Sequence, residues 1–488
     1  MGKIHQLHAA VAGSFGMLLF GLLYVWPSYT ASLFTDRNTT LLSAPMTQLD
    51  ISLLGSLPSL GAMLGTLLSG RIVNLLGRHK GGIILLLPVL LSWIMVSVTN
   101  ASTVIMISRF IGGFSGGASL VYGPIFISEV AEESIRGFLA SGPILLYCIG
   151  VLTSYLFGWF LTYRYIIWAN MVFSCVGLIT VMMVTESPIW LLRQKKEAEA
   201  CLAFAHYRGV SSESKMVLEE ISRLKAQIIP IVKLVSINDD NTLSNEAEKE
   251  KLKIDEEIAE RKETAFRMIF TSPSTRRAFI VTGLTLTIQI MTGLIAVLVY
   301  AKDIFTNAVP NMSPHLCSVM LAATLLIGII SSALFTDKFG RRILLIVSCS
   351  MITVCLISMG LLLQTNILPP WVTAILILVY CFASKLGAGN IPYVLLAEVF
   401  LPEVQSTAAL ILIECMWLLS FVHLAIFPFM VKYFGVHGSF YCFSIFAAMD
   451  GLVAIFLLPE TKGLTNEQIQ DTFLRRRKTY TRKCSTNI

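Results

Sequence analysis

The stretch Gly70-Arg71-Ile72-Val73-Asn74-Leu75-Leu76-Gly77-Arg78-His79-Lys80 lies between two long apolar runs, and Thr336-Asp337-Lys338-Phe339-Gly340-Arg341-Arg342 lies between two others far along the chain. Each is a short basic turn. Each is followed, near the end of a later apolar run, by a proline and a glutamate: Pro124 with Glu129, and Pro392 with Glu398. From the glycine of the turn to the glutamate is 52 residues in the first case and 58 in the second. Seven residues after each glutamate stand Arg136 and Gln405. The chain therefore repeats itself once, and each repeat is built on apolar runs joined by basic turns.

Working outward, six apolar runs fall near residues 9–33, 51–70, 81–99, 103–127, 138–160 and 165–184, and six more near 278–300, 316–335, 343–364, 371–396, 407–430 and 440–458. A spanning helix needs roughly 20 such residues. The 488 residues are 55% hydrophobic and 14% charged, with mean hydropathy +0.73. Such a composition excludes an ordinary soluble enzyme and a disordered chain. The expected fold is an all-α membrane protein of twelve transmembrane helices in two six-helix halves, residues 1–185 and 278–458. A cytoplasmic helical insert at 186–277 and a basic tail at 459–488 complete the domain plan. Paired six-helix halves are the pattern of a transporter.

Charge orients the chain. With the N-terminus inside, four of the 37 basic residues fall outside (Arg37, Arg164, Lys302, Lys432) and two within spans (Arg109, Lys385), which leaves 31 on the cytoplasmic side. That bias obeys the positive-inside rule, so the net charge of +7 reports topology and implies no nucleic-acid partner. Three N-x-S/T sequons, at Asn38, Asn100 and Asn311, fall on the outer loops of the same topology. Asn100 is too close to the membrane, so Asn38 and Asn311 are the expected glycosylation sites. Both termini are expected in the cytoplasm, and the compartment is expected to be the plasma membrane.

The first apolar run exceeds a signal-peptide core and has no small-residue cleavage site, so it reads as a span. Met1-Gly2 lacks the serine or threonine of a myristoylation signal, since position 6 is Gln6. Cys484 misses the prenylation box, whose cysteine position holds Ser485; palmitoylation of that cysteine stays open. No disulfide framework is legible in the ten cysteines. The insert carries sixteen basic and sixteen acidic residues and reads as amphipathic helices. Ser187-Pro188 forms an N-cap before a first-turn proline, Glu219/Arg223 and Glu257/Arg261 are i, i+4 pairs, and 236–250 is a link. The tail begins with a capping box, Thr465-x-x-Gln468, followed by the basic cluster Arg475-Arg476-Arg477-Lys478. That cluster serves either anionic lipid or simple positive-inside anchoring.

At the repeated turns and glutamates the chain resembles the sugar porters of the major facilitator superfamily. The likeness runs from the first span to Pro459-Glu460-Thr461-Lys462-Gly463 and includes Arg109-Phe110, Glu186-Ser187-Pro188 with Trp190-Leu191-Leu192, and Gln289 through Tyr300. Gly55-Ser56-Leu57 and Pro143 resemble the insect facilitated trehalose transporter branch. The resemblance implies a facilitative sugar carrier, for trehalose or a hexose, working by alternating access without a cofactor, as a monomer or weak oligomer.

The resemblance also assigns roles. A sugar-binding position is implied for Gln289, Thr292, Tyr300, Tyr393 and Trp417, with Asn390 adding an amide where the family usually has proline. Other positions have lost polarity: Ile144, Ile290, Ile295 and Met416 stand where the family keeps amides. Lys385 stands where the family commonly has glutamate. It either snorkels toward an interface, pairs with Glu414, or meets an anionic substrate. The Phe-Gly-Tyr-Asp of proton-coupled members reads Phe20-Gly21-Leu22-Leu23 here, which removes the usual proton acceptor and implies uncoupled transport. Gating is implied for Arg78, Glu129 and Arg136 in the first half and for Asp337, Arg341, Arg342 and Glu398 in the second. Asn74, Ile189 and Gln405 replace charged members of those motifs, so the lock is expected to be weaker than in the family pattern.

Two other classes stay open: a carrier of organic anions or less polar molecules using Lys385, and a nutrient sensor that does not transport. An enzyme is not expected, because no Walker loop, metal-ligand cluster or nucleophile elbow occurs.

Overall fold

An apolar run inside a bilayer can satisfy its own backbone only as a helix, and helices are what this computed structural model contains. It describes residues 2–36, 41–233, 266–365, 367–466 and 468–474, without the side chains of 226–233 and of Asp337. No strand occurs among these residues. Up to the described end of the insert's first part the elements are α1 (Gly2–Tyr24), α2 (Pro27–Thr35), α3 (Gln48–Leu76), α4 (Arg78–Val98), α5 (Ser102–Val130), α6 (Glu133–Ala140), α7 (Gly142–Phe160), α8 (Tyr163–Met182), α9 (Pro188–Arg193), α10 (Glu197–Arg208) and α11 (Lys215–Lys233). Then come α12 (Pro273–Met291), α13 (Leu294–Val299), α14 (Ala301–Ala308), α15 (Pro314–Phe339), α16 (Arg341–Thr365), α17 (Pro370–Leu386), α18 (Ile391–Glu398) and α19 (Pro402–Phe456).

Eleven helical stretches among the described residues are long and apolar enough to cross a membrane. The last of them, α19, is 55 residues long and reverses at Gly435, where φ is 70° and ψ 174°. Its arms, 402–434 and 436–456, complete twelve crossings. Among the described residues the fifth stretch is interrupted at Ser141, between α6 and α7, and three others are broken as well. The first breaks at Val25-Trp26 between α1 and α2, the seventh at Thr292-Gly293 between α12 and α13, and the tenth at 387–390 between α17 and α18.

The chain divides into two compact units. The first comprises Met1–Tyr24, Leu60–Val151 and Thr162–Glu256. Within it α5 packs on α1 and α4, and α8 on α1 and α4. Glycines let α3 and α5 touch along their backbones: a Cβ on Gly61 would lie 1.9 Å from the Phe110 carbonyl oxygen, and one on Gly117 equally close to that of Ala62. Small residues are how membrane helices gain contact when water exclusion cannot drive them together.

The part of the insert up to residue 233 belongs to this unit and has its own apolar centre, Leu191, Leu192, Ala203, Phe204, Val217 and Ile221. Ser187 caps α9 by accepting from the Trp190 amide at 3.3 Å, with Pro188 in the first turn, as its sequence predicts. The Trp190 indole then donates to the Asn74 carbonyl at 3.0 Å and fastens α9 to the end of α3. Glu219 pairs with Lys215 at 3.8 Å. The pair Glu257/Arg261, the link 236–250, the tail cluster Arg475–Lys478 and the sequon at Asn38 lie outside the described residues.

The second unit comprises Val25–Ser59, Leu152–Leu161 and Glu257–Ile488. It thus gathers one end of the first, second and fifth spans against the later helices. Tyr155 Oη donates to the Leu298 carbonyl at 2.6 Å, the Lys302 amide to Ser28 Oγ at 3.1 Å, Ser52 Oγ to the Ala425 carbonyl at 2.6 Å, and Gln48 to that of Pro428 at 3.1 Å. The capping box of the tail forms in both directions: the Thr465 amide donates to Gln468 Oε1 at 3.0 Å and the Gln468 amide to Thr465 Oγ1 at 3.4 Å.

Candidate functional site

Each unit contains one copy of the charged cluster that the repeated turns announce. In the first, Gly77 joins α3 to α4 with φ at 89°, a conformation glycine adopts without the Cβ penalty. Arg78 turns back from this point and grips Glu129, with Nη2 to Oε1 at 2.6 Å and Nε to Oε2 at 2.7 Å. Its third nitrogen donates to the Val73 carbonyl at 3.0 Å. Both partners are nearly excluded from solvent, Arg78 at 2% and Glu129 at 9% side-chain exposure.

In the second unit Gly340 makes the same turn with φ at 86°. Arg341 reaches Glu398 through Nη2 at 2.7 Å and Nε at 3.2 Å, and the Thr336 carbonyl, again five residues back, at 3.4 Å. Two parallel N–H donors on one carboxylate form a charge-assisted fork, which is stronger and more directional than a single contact.

Sequence reasoning missed one member in each copy. Glu186 accepts from the backbone amides of Arg78 (2.6 Å), His79 (3.2 Å) and Ser187 (2.9 Å). Glu460 likewise accepts from Arg341 (2.9 Å), Arg342 (3.2 Å) and Thr461 (3.0 Å). These carboxylates satisfy the open amides at the starts of α4 and α16 and offset the positive ends of those helices. The glycines make room for them: a Cβ at Gly77 would lie 2.2 Å from Glu186 Oε2, and one at Gly340 2.7 Å from Glu460 Oε2. The available signal was that a Glu follows the last span of each half.

Other expected gate members stand apart. Arg136 is exposed and donates to the Ala131 carbonyl at 3.2 Å, and Gln405 does the same for Ala397 at 2.9 Å. Arg342 donates to the carbonyls of Ala454 and Ile455, at 3.3 and 2.7 Å, and so ties α16 to the end of α19. The side chain of Asp337 lies outside the described set.

The residues expected at a substrate site gather on the two interrupted helices of the second unit. Gln289 and Thr292 precede the break after α12; Lys385 precedes the break after α17, and Asn390 and Tyr393 follow it. Tyr380 joins the two breaks by donating to the Thr292 carbonyl at 2.9 Å. Gln289 is 6% exposed and its Oε1 has no hydrogen-bond partner. Asn390 donates to the Lys385 carbonyl at 2.7 Å while its Oδ1 has none. Thr292 Oγ1 is committed to the Gln289 carbonyl at 2.7 Å, so its proton is spent within its own helix. Tyr393 donates to Met416 Sδ at 3.0 Å, which shows how an apolar replacement is still used.

Tyr300 lies elsewhere. It stacks on Phe427 with centroids 5.2 Å apart and donates to the Leu424 carbonyl at 3.3 Å, beside Gly55. Trp417 is buried on α19. Lys385 is half-buried, and a Cβ on Gly328 of α15 would lie 2.9 Å from its Cβ. No carboxylate of a described residue lies within ion-pair distance of it, so the pairing considered with Glu414 is not formed.

In the first unit Arg109, 1% exposed, donates to the carbonyl of Leu23.

Comparison with known proteins follows this geometry. The profile of the family described as "Sugar (and other) transporter" matches residues 10–230 and 231–473. A facilitated trehalose transporter of Apis mellifera ligustica is 24% identical over 474 residues, covering 96% of this chain and 88% of that protein. Its counterpart from Drosophila grimshawi is 24% identical over 472 residues, and there the chain spans only 47% of the relative's length. Among solved structures, the partially occluded inward-open form of the xylose transporter XylE from E. coli superposes with a TM-score of 0.72 at 20% identity, over 94% of this chain and 99% of that one. The same protein, described as a major facilitator superfamily proton:xylose symporter bound to 6-bromo-6-deoxy-D-glucose, gives 0.71 at 20% identity, over 97% and 100%. At these identities the likeness concerns the fold.

Proposed function

Because the chain belongs to the sugar (and other) transporter family, it is a membrane transporter rather than an enzyme, and we propose that its cargo is a sugar, trehalose or a hexose, moved by facilitated diffusion through alternating access. The observation that carries this reading is the pair of interrupted helices, with Gln289 and Asn390 beside the breaks and each holding an amide oxygen without a partner. Broken spans place polar groups where an otherwise apolar bundle can meet a polar solute. An amide both donates and accepts, which suits hydroxyls that do the same. Lack of coupling is supported by Leu23, which stands where proton-coupled relatives carry a titratable carboxylate.

The two forked pairs act as gates on the cytoplasmic side, together with Glu186 and Glu460. The contacts that Ser28, Ser52 and Tyr155 make within the second unit close the outer side. Orientation with both termini inside, residence in the plasma membrane and glycosylation at Asn38 and at Asn311, which lies exposed in a turn, belong to the same reading, as does the division into two six-helix halves.

Lys385 supports a second reading. A half-buried cation in a span, with no carboxylate partner among the described residues, is costly unless something neutralises it; an anionic substrate would. Uptake of labelled trehalose, glucose and a panel of organic anions into vesicles, with and without an imposed pH gradient, separates the readings. Saturable sugar uptake indifferent to the gradient supports the first. Anion uptake that disappears in Lys385→Glu, with no sugar uptake at all, replaces it by the second.

A further inference from the structure

The first turns of α1 lie on the last turn of α10, and the contact is made of imidazoles. The rings of His5 and His206 are 4.2 Å apart between centroids and tilted by 40°. His206 also meets the ring of Tyr207 edge-on at 5.5 Å, and His8 follows His5 by one turn. Backbone and amide contacts hold the rings together. Gln6, 1% exposed, donates to the Tyr207 carbonyl at 2.9 Å and accepts from the Glu132 amide at 2.9 Å. Gly2 comes so near the Arg208 backbone that a Cβ there would lie 2.3 Å from its carbonyl oxygen.

The junction communicates with the gate. Tyr207 Oη donates to the Thr185 carbonyl, and the next residue, Glu186, receives the Arg78 and His79 amides. The last turn of α10 therefore bridges the start of α1 and the segment that caps α4.

The surroundings of His206 favour its neutral form. His206 is faced from α1 by the imidazoles of His5 and His8, while its neighbour Arg208 on α10 lies among Glu132, Arg136 of α6 and Glu220 of α11. The nearest carboxylate, Glu132 at the α5–α6 junction, is engaged by Arg208 Nε at 3.8 Å and by Gln6 at 3.3 Å. Burial together with His5 and His8 holds the His206 imidazole below its ordinary range. Such a group binds fewer protons docked than undocked. Docking is therefore firm above the ordinary histidine value of about 6.5 and weakens as pH falls through and below it.

We propose that the contact of His206 with His5 is a proton-sensitive latch, closed while the His206 ring is neutral, that holds α10 of the insert to the start of α1 and releases it when the cytoplasmic side acidifies. A proton on His206 at this spacing sets a cation against the His5 ring, while the Glu132 carboxylate is already engaged by Arg208 and Gln6. No metal is required: no three His, Cys, Asp or Glu side chains of the described residues come together as a metal site.

The test is hydrogen exchange by mass spectrometry on the full-length protein in lipid nanodiscs at about pH 7.5 and about pH 6.0, comparing wild type with His206→Gln and with His5→Gln. At each pH the ratio to the variant cancels the intrinsic chemistry of exchange. The expected result is a wild-type to His206→Gln ratio near one at the higher pH and on the order of threefold or more at the lower, confined to amides of 197–209 and of the first turns of α1. His5→Gln should remove the acid-induced rise as well, which keeps the inference testable if His206→Gln folds poorly. A ratio that is the same at both pH values, or a rise spread over the whole first unit, overturns it. The readout needs no substrate, so it stands or falls separately from the sugar assignment.

Discussion

Arg78 holds Glu129 with two parallel hydrogen bonds, 2.6 and 2.7 Å long, across 51 residues of sequence, and Arg341 holds Glu398 in the same way across 57. The two forks differ in burial: the first pair is 2% and 9% exposed, the second 14% and 28%. Removing one partner of a buried pair leaves an uncompensated charge and costs about 3–5 kcal/mol, whereas more exposed pairs contribute much less. Arg78→Ala should therefore lower the thermal midpoint clearly more than Arg341→Ala. Arg78→Lys, which keeps the charge and loses the fork, should fall between wild type and Arg78→Ala. Thermal-shift measurements in detergent, with Glu129→Gln to close a double-mutant cycle, check this ordering; equal losses at Arg78 and Arg341 would contradict it.

The turn glycines give a sharper contrast. Gly77→Ala combines a positive φ with a Cβ that meets the Glu186 carboxylate, so folded yield and uptake should both fall, with a stability loss above about 1 kcal/mol. Gly70→Ala is the control, since a Cβ there meets nothing within 4 Å and the position lies inside α3. It should be neutral, or stabilising by up to about 1 kcal/mol. Size-exclusion profiles of the two variants decide the matter.

Within the second unit a Cβ at Gly55 would lie 2.5 Å from Tyr300 Oη. Gly55→Leu should therefore prevent the close packing of α3 on the Tyr300–Phe427 stack. Maleimide labelling from outside of a cysteine placed at Ser28 should become faster than in the Gly55 background, and uptake should fall. Unchanged labelling would mean that the outer contacts do not depend on this packing.

At the interrupted helices the expected effects diverge by residue. Gln289→Ala and Asn390→Ala each remove an amide whose oxygen is unpartnered, so KM for the transported sugar should rise by roughly 2- to 13-fold, the equivalent of 0.5–1.5 kcal/mol. Thr292→Val should change KM little, because that hydroxyl already donates within its helix at 2.7 Å. A larger KM effect at Thr292 than at Gln289 would reverse the assignment.

The legible part of the site was its repeated chemistry. Arg78, Glu129, Arg341 and Glu398 were identified from spacing and likeness, and the structure brings them together. Arg136, seven residues after Glu129, was assigned to the same lock by the family resemblance, yet it turns to the Ala131 carbonyl because α6 carries it out to the surface. Glu186 and Glu460 were in view as family motif residues, but their role depends on where the chain returns after a whole six-helix half, 108 and 119 residues from the arginines whose amides they accept. Nothing local signals such a return.

By itself the sequence determined the solvent, the number of crossings and the duplicated turn, because apolar length and basic punctuation are local properties that a bilayer reads directly. Tertiary structure alone decided which polar groups are spent and which are left over. Tyr300 is consumed by packing beside Gly55 and one nitrogen of Arg109 by the Leu23 carbonyl, whereas Gln289 and Asn390 keep an acceptor unpartnered. Hydrogen bonds are satisfied between segments hundreds of residues apart, so the remaining capacity of a side chain is a property of the folded chain and not of its position in the sequence.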